Sequence, residues 1–278
     1  MAYHTRSNSF PSRPHPLFQE VDEHLCRLRS SEATSTSSSS IRKKLNGLQD
    51  MLDCVDMLLQ LQGTQQVLAQ EQQQKWANEL LDGSLWLLDI CSTAKDAISQ
   101  TKESIQDLQS IIRRKRGGET GLTSEVRKYL SSRKMVKKSI HKAMGNLKGM
   151  ENKSTFSSAS KDQETIAIVS KLRDVKAITL RVFESVLSFI SGPKSKPSSW
   201  SFVSKIVQSK RIACDEEANV NEFAEVDAAL MKSLKSAENA QNQLNDLESC
   251  IQDQEEGLEC LFRQLIKTRV SLLNILSH

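Results

Sequence analysis

Cysteine and histidine side chains are the first candidates for chemistry, because thiolate and imidazole groups are the usual protein ligands of zinc. The chain of 278 residues contains six cysteines and five histidines. The cysteines are Cys26, Cys54, Cys91, Cys214, Cys250 and Cys260. No two of them form a C-x-x-C pair and the histidines are equally scattered, so the spacing predicts no metal site. We expect reduced, structural thiols in a protein of the cytoplasm or nucleus.

Phosphate-binding and catalytic motifs are also absent from the sequence. The stretch RRKRGGETGL places glycines beside basic residues. It lacks the GxxxxGK[ST] order and the preceding strand that would cradle a phosphate, and it is more typical of a helix end. No GxSxG or HExxH sequence occurs either. The sequence therefore predicts no catalytic residue, no cofactor and no metal, and we expect a protein that is not an enzyme.

A short motif near the N-terminus, RSNSFP, has the spacing of a regulated phosphorylation site. Arg6, Ser9 and Pro11 match the sites that 14-3-3 adaptors bind once the serine is phosphorylated. A phosphoserine carries close to two negative charges and three acceptor oxygens, which an arginine cluster can bind. Ser9 is thus the predicted phosphosite, with an inert serine-rich tail as the alternative.

Charge is distributed unevenly along the chain. The stretch from Arg113 to Lys138 contains ten basic residues and only two acidic ones, Glu119 and Glu125, which gives it a charge of +8. The segment from Cys214 to Cys260 has thirteen Asp and Glu against two Lys, a charge of −11. The ten basic residues are Arg113, Arg114, Lys115, Arg116, Arg127, Lys128, Arg133, Lys134, Lys137 and Lys138.

Three interpretations of this basic cluster remain open. It could be a solvated helix face that balances the acidic C-terminal helices within the same bundle. It could instead be a partner surface or a nuclear import signal. Nucleic-acid binding is the third interpretation, but a sequence pI of 8.7 and the lack of interleaved aromatic residues argue against it.

The elements that would position these residues are helices. Aromatic residues make up only 5% of the chain, and its five prolines all lie before Leu17 or between Gly192 and Trp200. Leu, Ile and Val recur at spacings of three and four, which is the mark of helices with one buried stripe. We predict an all-α helical bundle of six to eight helices, with long antiparallel or coiled-coil-like helices and a disordered N-terminal tail.

Some helix starts are also predicted. The last serines of the STSSSS stretch can cap the helix that begins at about Ile41, and Thr123 or Ser124 can cap the helix that follows RRKRGG. A short helix, WSFVSKIV, is expected to begin at Trp200.

Changes in composition divide the chain into four parts. Residues 1–16 are predicted to be the disordered tail, because they combine three prolines with polar residues. Residues 17–192 form the predicted N-terminal helical bundle. The proline- and serine-rich residues 193–199 are a predicted linker. No run of about 18 apolar residues occurs, so no membrane span is expected.

The C-terminal part, residues 200–278, has the most regular apolar pattern. From Phe223 to Ile275 the apolar residues fit one heptad register, so we expect a helical hairpin or a coiled coil packed on the bundle. A single helix of that length would span about 80 Å, and Gly257 is the candidate position for a break. A homo-oligomer built through residues 223–275 is the alternative use of this register.

Four sequence stretches together resemble one plant family. They are SRPHP near the start, LLDGSLWLLDICSTAKDAI, LQSIIRRKRGG and EVRKYLSSRKMVKKSI. They resemble the plant-specific helical domain of unknown function that is grouped with the BYPASS-related proteins. The resemblance covers nearly the whole chain. It implies a plant source and an association with root and shoot development, but no activity or functional residue that could be transferred.

Together these observations predict a non-enzymatic interaction or regulatory protein that works by binding other proteins. A basic nuclear or nucleic-acid-associated factor is one alternative, and a structural coiled-coil homo-oligomer is the other. We expect the cytoplasm, with the nucleus as the second compartment.

Overall fold

The described part of the protein is almost entirely helical. A computed structural model describes residues 15–31, 37–70, 75–114, 119–151, 163–192, 221–232 and 237–277, and within these ranges it contains eight helices and no strand. The helices are α1 (Pro16–Ser30), α2 (Ser38–Gln60), α3 (Gln62–Gln70), α4 (Lys75–Arg114), α5 (Glu119–Glu151), α6 (Gln163–Ser191), α7 (Glu222–Lys232) and α8 (Ala237–Ser277). The predicted all-α fold is confirmed.

Helix α8 lies in the centre of the packing, between α2 and α4. It runs antiparallel to α4, because Lys95 contacts Glu259 while the later Lys102 contacts the earlier Glu255. It runs parallel to α2, since the contacts between them advance in the same direction along both helices. Buried residues of all the long helices belong to one hydrophobic core. The core is therefore continuous from α1 to α8.

The heptad positions predicted in the C-terminal part are buried. They include Phe223, Val226, Leu244, Leu258 and Leu272, each at most 5% exposed. α2 and α4 cover the part of this stripe that lies on α8, and α6 and α8 pack against the part on α7. The apolar face on which the homo-oligomer hypothesis depended is thus already buried inside the protein.

The predicted break at Gly257 is wrong. α8 is continuous from Ala237 to Ser277, so Gly257 lies in the interior of a helix. A β-carbon placed on Gly257 would lie 3.1 Å from Leu45 Cδ1 of α2. The glycine therefore permits a close approach of two helices instead of ending one.

Helix starts agree with the sequence in one case and differ in another. Ser37 caps α2, and its hydroxyl accepts a hydrogen bond from the Ser40 amide, as the serine-rich stretch predicted. By contrast, the predicted cap of α5 at Thr123 or Ser124 is wrong, because α5 already begins at Glu119. The earlier start lets Leu122 pack against the core.

Several predicted features lie outside the described residues. They are the tail up to residue 14, the linker at 193–199 and the short helix expected after Trp200. None of the described helices is both long and apolar enough to cross a membrane.

The close approach at Gly257 predicts a difference between two glycine substitutions. In Gly145→Ala the new methyl group meets nothing within 4 Å, so the gain in helix propensity should raise the free energy of unfolding by about 1 kcal/mol. Gly257→Ala should gain less, because Leu45 must move. Urea unfolding of both variants measures the difference, and equal gains would show that the approach to α2 is not tight.

Candidate functional site

The inner side of α5 holds a buried ion pair. Arg133 is 2% exposed, and its Nε donates to Oδ1 of Asp227 on α7 at 3.2 Å. A guanidinium remains charged in proteins, so a buried arginine requires a buried anion. Asp227, which is 5% exposed, supplies that anion.

Further hydrogen bonds connect this pair to two other helices, α4 and α6. Arg133 Nη2 donates to the Ile190 carbonyl of α6 at 2.8 Å, and Nη1 donates to the Thr101 hydroxyl of α4 at 3.4 Å. The guanidinium also lies 5.0 Å from the centre of the Phe223 ring. The Tyr129 hydroxyl donates to Asp227 at 3.0 Å. Burial and the adjacent carboxylate raise the pKa of Tyr129, which keeps this hydroxyl a donor.

The assignment of Arg133 to a partner surface is therefore wrong. Its position on α5 falls on the same face as Tyr129, Val136 and Ile140, all of which are buried. A spacing of three and four residues places these four side chains on one stripe. Arg133 is a core residue whose charge Asp227 balances.

Lys137 stands at the edge of the same cluster. Its Nζ lies 2.8 Å from Asp227 Oδ2, and its side chain is 36% exposed. Because the Lys137 charge is paired with Asp227, we assign this residue to the buried ion-pair cluster and not to the free basic surface.

The outer face of α5 carries cations of a different kind. Arg127, Lys134, Lys138 and Lys142 are exposed. At 100° per residue they fall within an arc of about 80°, and they extend over about 22 Å of helix. None of the four forms an ion pair with any residue in the described ranges. We call these four residues the outer basic face.

A methionine lies beside the outer basic face. Met135 is 62% exposed, whereas Arg133 and Val136 on the other side of the helix are buried. Lys128 is exposed too, but it pairs with Glu125 one turn earlier. The surface is thus a row of unpaired cations next to an exposed, flexible apolar side chain.

Acidic residues of the C-terminal segment form ion pairs with basic residues of α2 and α4. On α8, Glu255 and Glu259 pair with Lys102 and Lys95 of α4. Asp253 pairs with Arg42 of α2 at 2.7 Å. Within the described part of the chain, Asp227 is the one acid of this segment that pairs with α5, and it faces the inner side. The outer basic face is left without a balancing partner there.

The remaining predicted site residues are not gathered around this face. Arg113 and Arg114 are exposed at the end of α4, where they line a shallow groove with Gln109 and Glu248. Lys115 and Arg116 lie outside the described residues, and so do Arg6, Ser9 and Pro11. The phosphosite remains a prediction.

The buried thiols are poor nucleophiles. Burial raises the pKa of Cys91 and of Cys250 to about 12, so both keep their protons near neutral pH. Cys91 donates a weak hydrogen bond to the Leu258 carbonyl at 3.6 Å. These positions fit the predicted structural role of the cysteines.

The comparisons with known proteins identify the family. The family model described as Protein BPS1 matches residues 44–275, which is more than four fifths of the chain. The chain belongs to the BPS1 family. This confirms the resemblance to the BYPASS-related proteins. Neither the curated proteins nor the solved structures contain a match to the chain.

Two functional residues were missed by reading the sequence of this BPS1 family member. Asp227 directly follows Val226, a heptad position, so it lies beside the buried stripe of α7. An acidic residue is rarely buried there unless a basic residue pairs with it. Lys142 lies four residues beyond Lys138 and on the same face, but it falls outside the stretch of highest charge density. Both residues are identified by the helix face on which they lie and not by the local density of charge along the sequence.

The buried ion pair predicts a large and specific loss of stability. Asp227→Leu should lower the free energy of unfolding by about 3 to 5 kcal/mol, because it leaves the Arg133 charge buried without an anion. Chemical denaturation of the full-length protein measures this loss. Lys137→Gln is the control, since a partly exposed pair contributes about 1 kcal/mol or less.

The double variant Arg133→Met with Asp227→Leu removes both charges. It should be more stable than Asp227→Leu alone, because no unpaired guanidinium remains in the core. Equal instability of the two variants would contradict the assignment of Asp227 as the anion for Arg133.

Proposed function

We propose that this protein is a non-enzymatic interaction protein that binds an acidic partner protein through the outer basic face of α5. The observation that carries the proposal is the division of charge on α5. Arg133 and Lys137 on one side are paired with Asp227, whereas Arg127, Lys134, Lys138 and Lys142 on the other side pair with no described residue. Unpaired charges of one sign attract a partner of the opposite sign and speed its association.

This division argues against a purely solvating role for the basic cluster. If the cluster only balanced the acidic C-terminal segment, the outer cations should face those acids. The α8 acids instead pair with α4 and α2. A charged surface maintained away from its intramolecular counter-charges is better suited to an external partner.

Two observations favour a protein partner over a nucleic acid. Tyr129 is the one Phe, Tyr or Trp residue of α5, and it is buried, so it offers no stacking platform for a base. Met135 is exposed beside the cations, and methionine adapts to the apolar surface of a partner protein. Nucleic-acid binding and a nuclear import role are therefore alternatives that the experiment must separate.

The biological setting proposed for this binding is plant development. Family membership is the support for that setting, because the BYPASS-related resemblance implies an association with root and shoot development. The cytoplasm is the proposed compartment, with the nucleus as the second. A 14-3-3 adaptor at phosphorylated Ser9 would be a separate, regulatory contact.

The proposal predicts that removing two outer charges weakens partner binding. The full-length protein and its Lys134→Gln, Lys138→Gln variant are compared by affinity purification from plant tissue, followed by quantitative mass spectrometry. If each contact contributes about 0.7 kcal/mol, losing both should weaken binding about tenfold. Stability should not change, because neither lysine has a described partner.

A matched control removes the same charge elsewhere. Arg27 and Lys43 are exposed residues of α1 and α2 without an ion pair to any described residue, so Arg27→Gln with Lys43→Gln should leave the partner set unchanged. The extract is treated with ribonuclease in a parallel sample. Partners that survive ribonuclease, weaken with salt and disappear only from the α5 variant support the proposal. Partners lost with ribonuclease, or retained equally by both variants, contradict it.

A further inference from the structure

Three possible metal ligands meet where α1 packs against α2. They are Glu20 and His24 of α1 and Cys54 of α2, and their ligand atoms all lie within 4.8 Å of one another. Glu20 and His24 are four residues apart, so they share one face of the helix. Cys54 comes from thirty residues further along the chain, and for this reason the sequence spacing indicated no site.

His24 is the second and independent observation that points to a ligand. The side chain is 9% exposed, and its Nδ1 atom is buried without a hydrogen-bond partner in the described part of the protein. Buried polar atoms are nearly always satisfied by a hydrogen bond, water or an ion. His24 is thus a buried imidazole with an unpartnered nitrogen, and one of its two ring nitrogens lies within 4.8 Å of the Cys54 thiol and the Glu20 carboxylate.

The surroundings of Cys54 favour a positive ion. Burial and the Glu20 carboxylate raise the pKa of the Cys54 thiol to about 11, and Asp53 and Asp50 add to this effect. The same negative groups stabilise a cation, and a bound divalent metal deprotonates a coordinating thiol. Glu20 is exposed, which gives a metal ion a path from solvent.

We infer that Glu20, His24 and Cys54 form a site for a divalent transition metal, with Zn²⁺ as the ion that fits best. One sulfur, one imidazole nitrogen and one carboxylate oxygen are the ligand types that zinc accepts, and water would complete a tetrahedron. Zinc bonds of about 2.0 to 2.3 Å require the three atoms to approach one another by roughly 1 Å. Rotation of the exposed Glu20 side chain and small adjustments at the other two provide this movement.

The site would fasten α1 to the rest of the bundle. α1 ends at Ser30, whereas the BPS1 family match begins at residue 44, so two of the three ligands lie outside the matched region. Metal binding would then stabilise the packing of the N-terminal helix α1, which precedes the matched region, because an ion bound only to the folded state shifts unfolding to higher temperature.

The experiment titrates the metal-free, full-length protein with Co²⁺ and Zn²⁺ under reducing conditions. One equivalent of Co²⁺ should produce a thiolate-to-cobalt charge-transfer absorption, and Zn²⁺ should displace the Co²⁺ and raise the Tm. Cys54→Ser and His24→Gln should abolish the absorption or weaken metal binding by more than about 100-fold. Substitution of even the outer-shell partners of metal ligands typically lowers metal affinity by about 10- to 100-fold, and these two residues are direct ligands.

Two further variants keep the test decisive if those two fold poorly. Glu20→Gln changes an exposed residue, so it should fold normally and still bind Zn²⁺ more weakly. Cys26→Ala removes an exposed cysteine of the same helix that is not in the cluster, and its binding should equal that of the unchanged protein. The inference is overturned if the unchanged protein shows no saturable binding, or if Glu20→Gln and His24→Gln bind as tightly as it does.

Discussion

The charge of Arg133 constrains how four helices of this protein meet. The guanidinium cannot be neutralised by losing a proton, so its place in the core requires an anion and several acceptors nearby. Asp227 of α7, Thr101 of α4 and the Ile190 carbonyl of α6 meet this requirement around one side chain of α5. α7 is only 11 residues long, and this contact gives it a defined position against the long helices.

The same constraint separates the basic residues of α5 into two groups with different roles. The residues that face inward are engaged by Asp227, and their charges contribute to the fold. The residues that face outward are exposed and have no described counter-charge, although the chain carries a strongly acidic segment. Among the described residues, the acids of that segment on α8 form ion pairs with Lys95 and Lys102 of α4 and with Arg42 of α2, and not with α5. An unpaired row of cations can therefore persist on a protein whose net charge is only +4.

The sequence predicted most of the fold, because apolar periodicity reports directly which side of a helix is buried. The register from Phe223 to Ile275 identified a stripe that is indeed buried, and a cap for α2 was expected within the serine-rich stretch that contains Ser37. Periodicity does not show what covers a stripe, so a contact between chains remained as plausible as the contact with α2 and α4. It also cannot show why Gly257 is present. The reason is the approach of Leu45, a residue more than two hundred positions away.

The candidate surface was predicted less well, for a related physical reason. Charge density along the sequence grouped Arg133 with its neighbours, but a helix turns by 100° per residue, so adjacent basic residues point to opposite sides. The contact of Glu20 and His24 with Cys54 was likewise hidden, because it depends on how α1 packs on α2. Local pattern determines the elements, whereas side chains from separate elements create the sites.

The most direct test of this account is lysine footprinting of the full-length protein in plant extract. Complexed and free protein are separated by size, acylated briefly, and compared by mass spectrometry. The account predicts that Lys134, Lys138 and Lys142 are protected in the complexed fraction while the exposed Lys43 remains equally reactive in both. Equal reactivity of the three α5 lysines in the complexed and free fractions would contradict the claim that the outer basic face is the binding surface.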